Sequence, residues 1–271
     1  MVNKRRIERL FENRSGREKV MSLFLTAGYP DPGETVALVS KLEASGADIL
    51  ELGMPFSDPL ADGPTIQYAS NVALGKGVNL DSIFDMITEI RKSSEIPIVL
   101  MGYINPVLKY GLDAFFHKVK TSDADGIILP DVPPGEFPEI DALCQKYGID
   151  PIHLVAPNTS DSRMQEIDRA SRGFVYCVSV TGVTGARDGE EVSRSVAGFI
   201  QRVRPPVLVG FGIRSHADAM SVSRETEGFI VGSALIDHIR SVYPGQDWME
   251  KTGDFVRELK YGSQIGEESP H

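Results

Sequence analysis

Short apolar runs alternate with amphipathic stretches along almost the whole chain. The runs span residues 20–25, 49–52, 96–101, 126–129, 152–155, 174–178, 207–209 and 229–231. Several are rich in β-branched residues. Most are continuously apolar rather than alternating, the pattern of strands covered on both faces. Segments with helical spacing lie between them: 34–45 carries Val36, Val39 and Leu42, and 80–91 carries Ile83, Ile87 and Ile90. Strand followed by helix, eight times over, predicts an α/β fold, a closed parallel (β/α)8 barrel. An open doubly wound sheet is the alternative, but it has fewer strands and a visible dinucleotide or switch-point motif. Ile7, Leu10 and Phe11 at helical spacing predict an extra N-terminal helix packed on the barrel. The reading is one barrel domain over residues 1–261 and a disordered tail over 262–271.

Composition narrows the function classes. The chain has 271 residues, 41% of them hydrophobic, and a formal net charge of -10. An acidic surface repels phosphate backbones, which argues against nucleic-acid binding while leaving room for a pocket that takes one phosphate. Cys144 and Cys177 sit in apolar surroundings and form no C-x-x-C pair, as expected of reduced thiols in the cytoplasm. No apolar run approaches the roughly 20 residues of a membrane span. The charged start lacks a signal-peptide core. The five histidines are scattered, so no metal site is expected. P-loop, dinucleotide, nucleophile-elbow and zincin motifs are absent.

Breaker residues follow nearly every run and mark the loops that form the catalytic face of such barrels. Glu51 lies inside the run 49–52, with Leu50 and Leu52 on one face and Glu51 on the other. A buried carboxylate is costly unless it is paired or placed at the mouth. Glu51 is therefore either a structural acid with a backbone or arginine partner, or a functional one. Asp62 ends the long loop 53–64. Alone it reads as an N-cap for the helix starting near Pro64. With Glu51 it makes a pair of carboxylates able to divide acid and base duties. Gly210-Phe211-Gly212 and Gly232-Ser233, the latter opening a helix over 234–239, suit a phosphate at the loops after strands seven and eight. The loop from Val180 to Gly185 is a candidate lid. Tyr176 reads as core or as a ligand contact.

The run Glu51-Leu52-Gly53-Met54-Pro55-Phe56-Ser57-Asp58-Pro59-Leu60-Ala61-Asp62-Gly63-Pro64 resembles the signature of tryptophan synthase α subunits. The stretch Ser179–Gly185 is similar to that family's mobile loop, and segments 24–30, 101–106 and 210–213 match in the same order. The resemblance implies a (β/α)8 barrel lyase that cleaves indole-3-glycerol phosphate to indole and D-glyceraldehyde 3-phosphate. It implies that Glu51 is the general acid/base and that Asp62 stabilises the ring nitrogen. Tyr176 then lies near the reacting atoms, and Phe24, Tyr103 and Phe211 line the indole slot. Gly185, Gly212, Gly232 and Ser233 hold the phosphate, and Thr184 orients Asp62 when the lid closes. No cofactor is implied, since pyridoxal phosphate belongs to the β subunit. That subunit is the implied partner, in an α2β2 tetramer. Candidate docking segments are 55–60, 105–108 and 131–134. The rival reading is a catalytically silent barrel that only activates a partner.

Overall fold

The computed structural model describes residues 5–14, 18–156, 158–178, 197–198, 200, 202–210 and 212–263. Its strands are β1 (Val20–Thr26), β2 (Ile49–Gly53), β3 (Ile98–Met101), β4 (Gly126–Ile128), β5 (Asp150–Pro151), β6 (Leu154–Val155), β7 (Val175–Val178), β8 (Val207–Gly210) and β9 (Gly228–Val231). All pair in parallel, in the order β5-β4-β3-β2-β1-β9-β8-β7-β6. The two ends of that order, β5 and β6, flank Ile152 and His153, so the single run expected over 152–155 is instead two short strands, the first starting two residues earlier. The Ile152 amide donates to Ile127 on one side, and the Tyr176 amide donates to His153 on the other. The sheet thus closes through the interrupted fifth strand, and the eight expected runs become nine short strands around one barrel.

Helices cover the outside. They are α2 (Thr35–Ala44), α3 (Pro64–Gly75), α4 (Leu80–Ile90), α5 (Ile104–Tyr110), α6 (Leu112–Thr121), α7 (Pro138–Tyr147), α8 (Asp161–Ala170), α9 (His216–Val222), α10 (Ser233–Val242) and α11 (Trp248–Tyr261), after an N-terminal α1 (Arg6–Asn13). The expected helices 34–45 and 80–91 are α2 and α4. Asn79 caps α4 by accepting from the Ser82 amide, and the Ser82 hydroxyl closes a capping box. Buried Ile83, Ile87 and Ile90 face the barrel.

Strand parity builds two cores. Met21, Leu23, Leu50, Leu52, Ile98, Leu100, Val207 and Val209 belong to the core that packs against the helices. Val20, Ile49, Val99, Ile128, Ile152, Phe174, Leu208 and Ile230 fill the barrel itself. Fully buried Ile7 of α1 joins this inner core, with Leu10 and Phe11 packed against it. The extra helix is therefore a plug at the N-terminal end of the barrel. Arg6 fastens it to Glu95 at 2.7 Å and Asp125 at 3.1 Å, and Arg5 pairs with Asp150. With that end closed, the opposite mouth is left for a ligand. Among the described residues, no helix is long and apolar enough to cross a membrane.

Candidate active site

Glu51 points into the barrel because its neighbours Leu50 and Leu52 point out. It is completely buried. The β1–β2 register sets Phe24 beside Glu51 and Ser22 beside Ile49. Ser22 therefore lies one inward step nearer the plugged end. Its hydroxyl donates to Glu51 Oε1 at 2.6 Å and draws the carboxyl away from the mouth. Glu51 Oε2 is buried with no partner. Burial pushes the Glu51 pKa up to about 7, against the lowering effect of the Ser22 hydrogen bond. Near neutral pH this carboxyl is able both to give and to take a proton.

Tyr176 enters the barrel from β7. Burial first, and then the charge of Glu51, hold its hydroxyl well above the ordinary tyrosine range. The ring has room because position 210 is glycine: a Cβ there would meet the Tyr176 hydroxyl at 2.5 Å. Gly53 does the same for Phe24, whose ring tip would lie 2.5 Å from a Cβ. Two inward aromatic rings thus depend on two glycines at the strand ends.

Asp62 does not cap α3. Gly63 holds the N-cap position and no side chain caps the helix. The Asp62 carboxylate accepts instead from the Tyr103 hydroxyl at 2.9 Å, and that hydroxyl accepts from the Ala61 amide at 3.0 Å. The carboxylate gains a charge-assisted bond this way, which fixes the end of the loop. Burial raises the Asp62 pKa and the Tyr103 bond opposes the rise.

A cavity of about 400 Å³ opens at the C-terminal ends of the strands. Phe24, Ile66, Met101, Ile213 and Ile230 give it apolar walls, and Asp62, Thr65, Tyr176 and Ser233 supply polar groups. Gly63, Pro64, Gly210, Gly212 and Gly232 complete the lining. Helix α10 starts at this wall, with Gly232 at its N-cap and no side-chain cap. Its first amides and the positive end of its dipole are left for an anion. Larger clefts of about 860 and 680 Å³ lie between α7 and α8 and beside α1. They are away from the strand C-termini, where barrels of this kind do their chemistry.

Of the residues singled out from sequence, Phe24, Asp62, Tyr176, Gly212, Gly232 and Ser233 line one cavity. Glu51 lies beside it without lining it in this conformation, and Tyr103 stands behind Asp62 as its hydrogen-bond donor. Thr184, Gly185, Phe211 and the candidate lid lie outside the described residues. Sequence reasoning missed Ser22, Thr65, Ile66, Met101, Ile213 and Ile230. Ser22 had a signal, as a polar residue in an apolar run with the parity of Phe24. The others are apolar residues or, for Thr65, a polar residue in the first turn of α3, and carry none.

The Tryptophan synthase alpha chain family model matches residues 11–263. A tryptophan synthase alpha chain of Geobacter sulfurreducens is 46% identical over 227 residues, covering 83% of this chain and 86% of that one. The crystal structure of tryptophan synthase subunit alpha from Legionella pneumophila superposes with a TM-score of 0.90 at 37% identity, over 96% of this chain and 98% of that one. A structure of tryptophan synthase from M. tuberculosis in an open form gives 0.85 at 34% identity, over 97% of this chain and 100% of that one.

Proposed function

Because the chain belongs to the tryptophan synthase alpha chain family, a lyase family that cleaves indole-3-glycerol phosphate to indole and D-glyceraldehyde 3-phosphate, we propose that Glu51, Asp62 and the start of α10 divide that reaction between them. The carrying observation is a buried carboxyl with a pKa of about 7 beside a cavity that holds a second, hydrogen-bonded carboxylate.

Indole is a poor carbanion, so the ring must be protonated before it leaves. Glu51, protonated at the start, swings from Ser22 toward the cavity and gives its proton to the ring carbon that bears the side chain. Asp62 accepts the ring N–H and stabilises the positive charge that develops there. The Glu51 carboxylate then takes the proton of the neighbouring side-chain hydroxyl. The carbon–carbon bond breaks, its electron pair returns to the ring, and an aldehyde forms. Neutral indole leaves and Glu51 is protonated again, ready for the next cycle. The phosphate sits on the amides of Gly212, Gly232 and Ser233. The apolar walls from Phe24 to Ile230 take the ring and exclude water.

Tyr103 acts here through Asp62. Tyr103→Phe removes the donor from Asp62 and leaves the Ala61 amide unpaired. Indole formation should fall about tenfold, the size of one hydrogen bond to a charged group. A rate unchanged from the parent would detach Tyr103 from the reaction.

The partner we infer is a tryptophan synthase β subunit, in an α2β2 tetramer that receives the indole. Leu60, on the loop after β2, is 90% exposed, and Leu108, on helix α5 after β3, is 45% exposed. The third candidate segment is less available. Val132 is buried, and the Asp131 carboxylate accepts the Ile104 amide at 3.1 Å. Docking is therefore assigned to 55–60 and 105–108. The test is indole release by the purified chain with and without a β subunit. Addition should raise the rate strongly, and Asp58→Lys should cut that increase more than the basal rate. A chain that forms no indole in either condition is the silent barrel of the rival reading.

A further inference from the structure

Ser22 is completely buried among apolar side chains and faces Ile49 and Ile230 in register across its two neighbouring strands. A hydroxyl in such a place costs free energy unless it is bonded, and alanine would fill the space without that cost. Its bond runs to Glu51 Oε1. The other carboxyl oxygen has no partner, so the carboxyl is held below the cavity by a single hydrogen bond. The groups facing Glu51 are few. Ser22 faces it from β1 and Val99 is its register partner on β3. Tyr176 on β7 is the titratable group that senses its charge. Among the described residues no basic side chain contributes to its proton affinity.

We propose that Ser22 is a positioning residue, whose hydroxyl holds the Glu51 carboxyl beneath the cavity between turnovers and releases it to the substrate. Proton affinity follows from the same contact. Donation from Ser22 favours the ionised carboxyl and opposes the effect of burial. The bond therefore lowers the pH at which the acid form is lost, below the value that burial alone would give. The proposal rests on Glu51 being that acid.

The test is the pH profile of kcat/KM for indole formation by the full chain, which reports the free enzyme, where Ser22 holds the carboxyl. Activity disappears as the pH rises through the Glu51 pKa, because the ring is protonated by the acid form. In Ser22→Ala this alkaline limb should move up by about one pH unit, a tenfold gain in proton affinity, as expected on losing a hydrogen bond to a charged acceptor. Ser22→Thr keeps the hydroxyl and should keep the parent limb. A folded Ser22→Ala protein whose limb does not move overturns the proposal. So does a Ser22→Thr limb that moves as far as that of the alanine variant, because packing rather than the hydroxyl would then be the cause. If Ser22→Ala does not fold, Ser22→Cys replaces it. Its thiol is a weak donor of similar shape, so an upward limb is again expected, and an unmoved limb is again fatal. Glu51→Gln separates the two claims. If that variant turns over normally, the acid is misassigned; if it is inactive while the serine variants leave the limb in place, only the role of Ser22 fails.

Discussion

Glu51→Gln is expected to lower indole formation by about 10²–10⁴-fold, the usual contribution of one positioned acid/base group, while making the protein more stable above neutral pH. The two effects have one cause. The amide cannot move protons, so both transfers to and from the substrate are lost. It also carries no charge into the barrel interior. Burial raises the Glu51 pKa from 4.5 to about 7, so the folded protein holds this proton more tightly than the unfolded chain does. The stability that protonated Glu51 contributes is present below pH 4.5 and is lost as the pH rises through about 7. Over that window the loss is on the order of 3 kcal/mol. The glutamine variant has no such loss. Its melting temperature should exceed the parent value by a margin that grows between pH 5 and pH 8, reaching several degrees. The measurements are steady-state indole release and thermal unfolding at the two pH values. Near-normal turnover would defeat the mechanism. A constant melting difference would show that Glu51 is not buried with an elevated pKa.

Ser233→Asp is expected to raise KM for the phosphate substrate by on the order of 10²-fold, because it sets a fixed negative charge where the phosphate is proposed to sit. Two unit charges about 4 Å apart near a protein surface repel by about 4 kcal/mol, and salt at the open mouth screens part of that. The helix itself should tolerate the change. Asp at the first position of α10 interacts favourably with the helix dipole, so loss of binding without loss of fold is the expected pattern. Ser233→Ala is the control, removing a hydroxyl without adding charge, and its effect should be under about tenfold. Inorganic phosphate inhibition offers an independent readout, and its affinity should fall in parallel with that of the substrate. Unchanged KM and unchanged phosphate inhibition in the aspartate variant would move the phosphate away from α10.

Several features were legible in the chain itself because they depend on neighbours in sequence. The period of the apolar runs gives strands and helices. Parity along 49–53 places Glu51 on the face opposite Leu50 and Leu52, while the structure decides that this face is the barrel interior. The glycines at 210, 212 and 232 mark turns at strand ends, and Gly210 does make room for Tyr176. The long motif from Glu51 to Pro64 identified the family. Tertiary structure decided what these local facts cannot reach. The fifth strand is in two pieces, one bonded to β4 and the other to β7. Asp62 gives up the local capping role for a hydroxyl 41 positions away in the chain. Ser22 meets Glu51 only through the β1–β2 register, across 29 positions. Met101, Ile213 and Ile230 become cavity wall only when the barrel closes. Periodicity fixes which face a side chain takes, since each residue's direction follows from the one before it. Which side chains meet on that face depends on strand register and ring closure, which are set by hydrogen bonds between segments far apart in sequence.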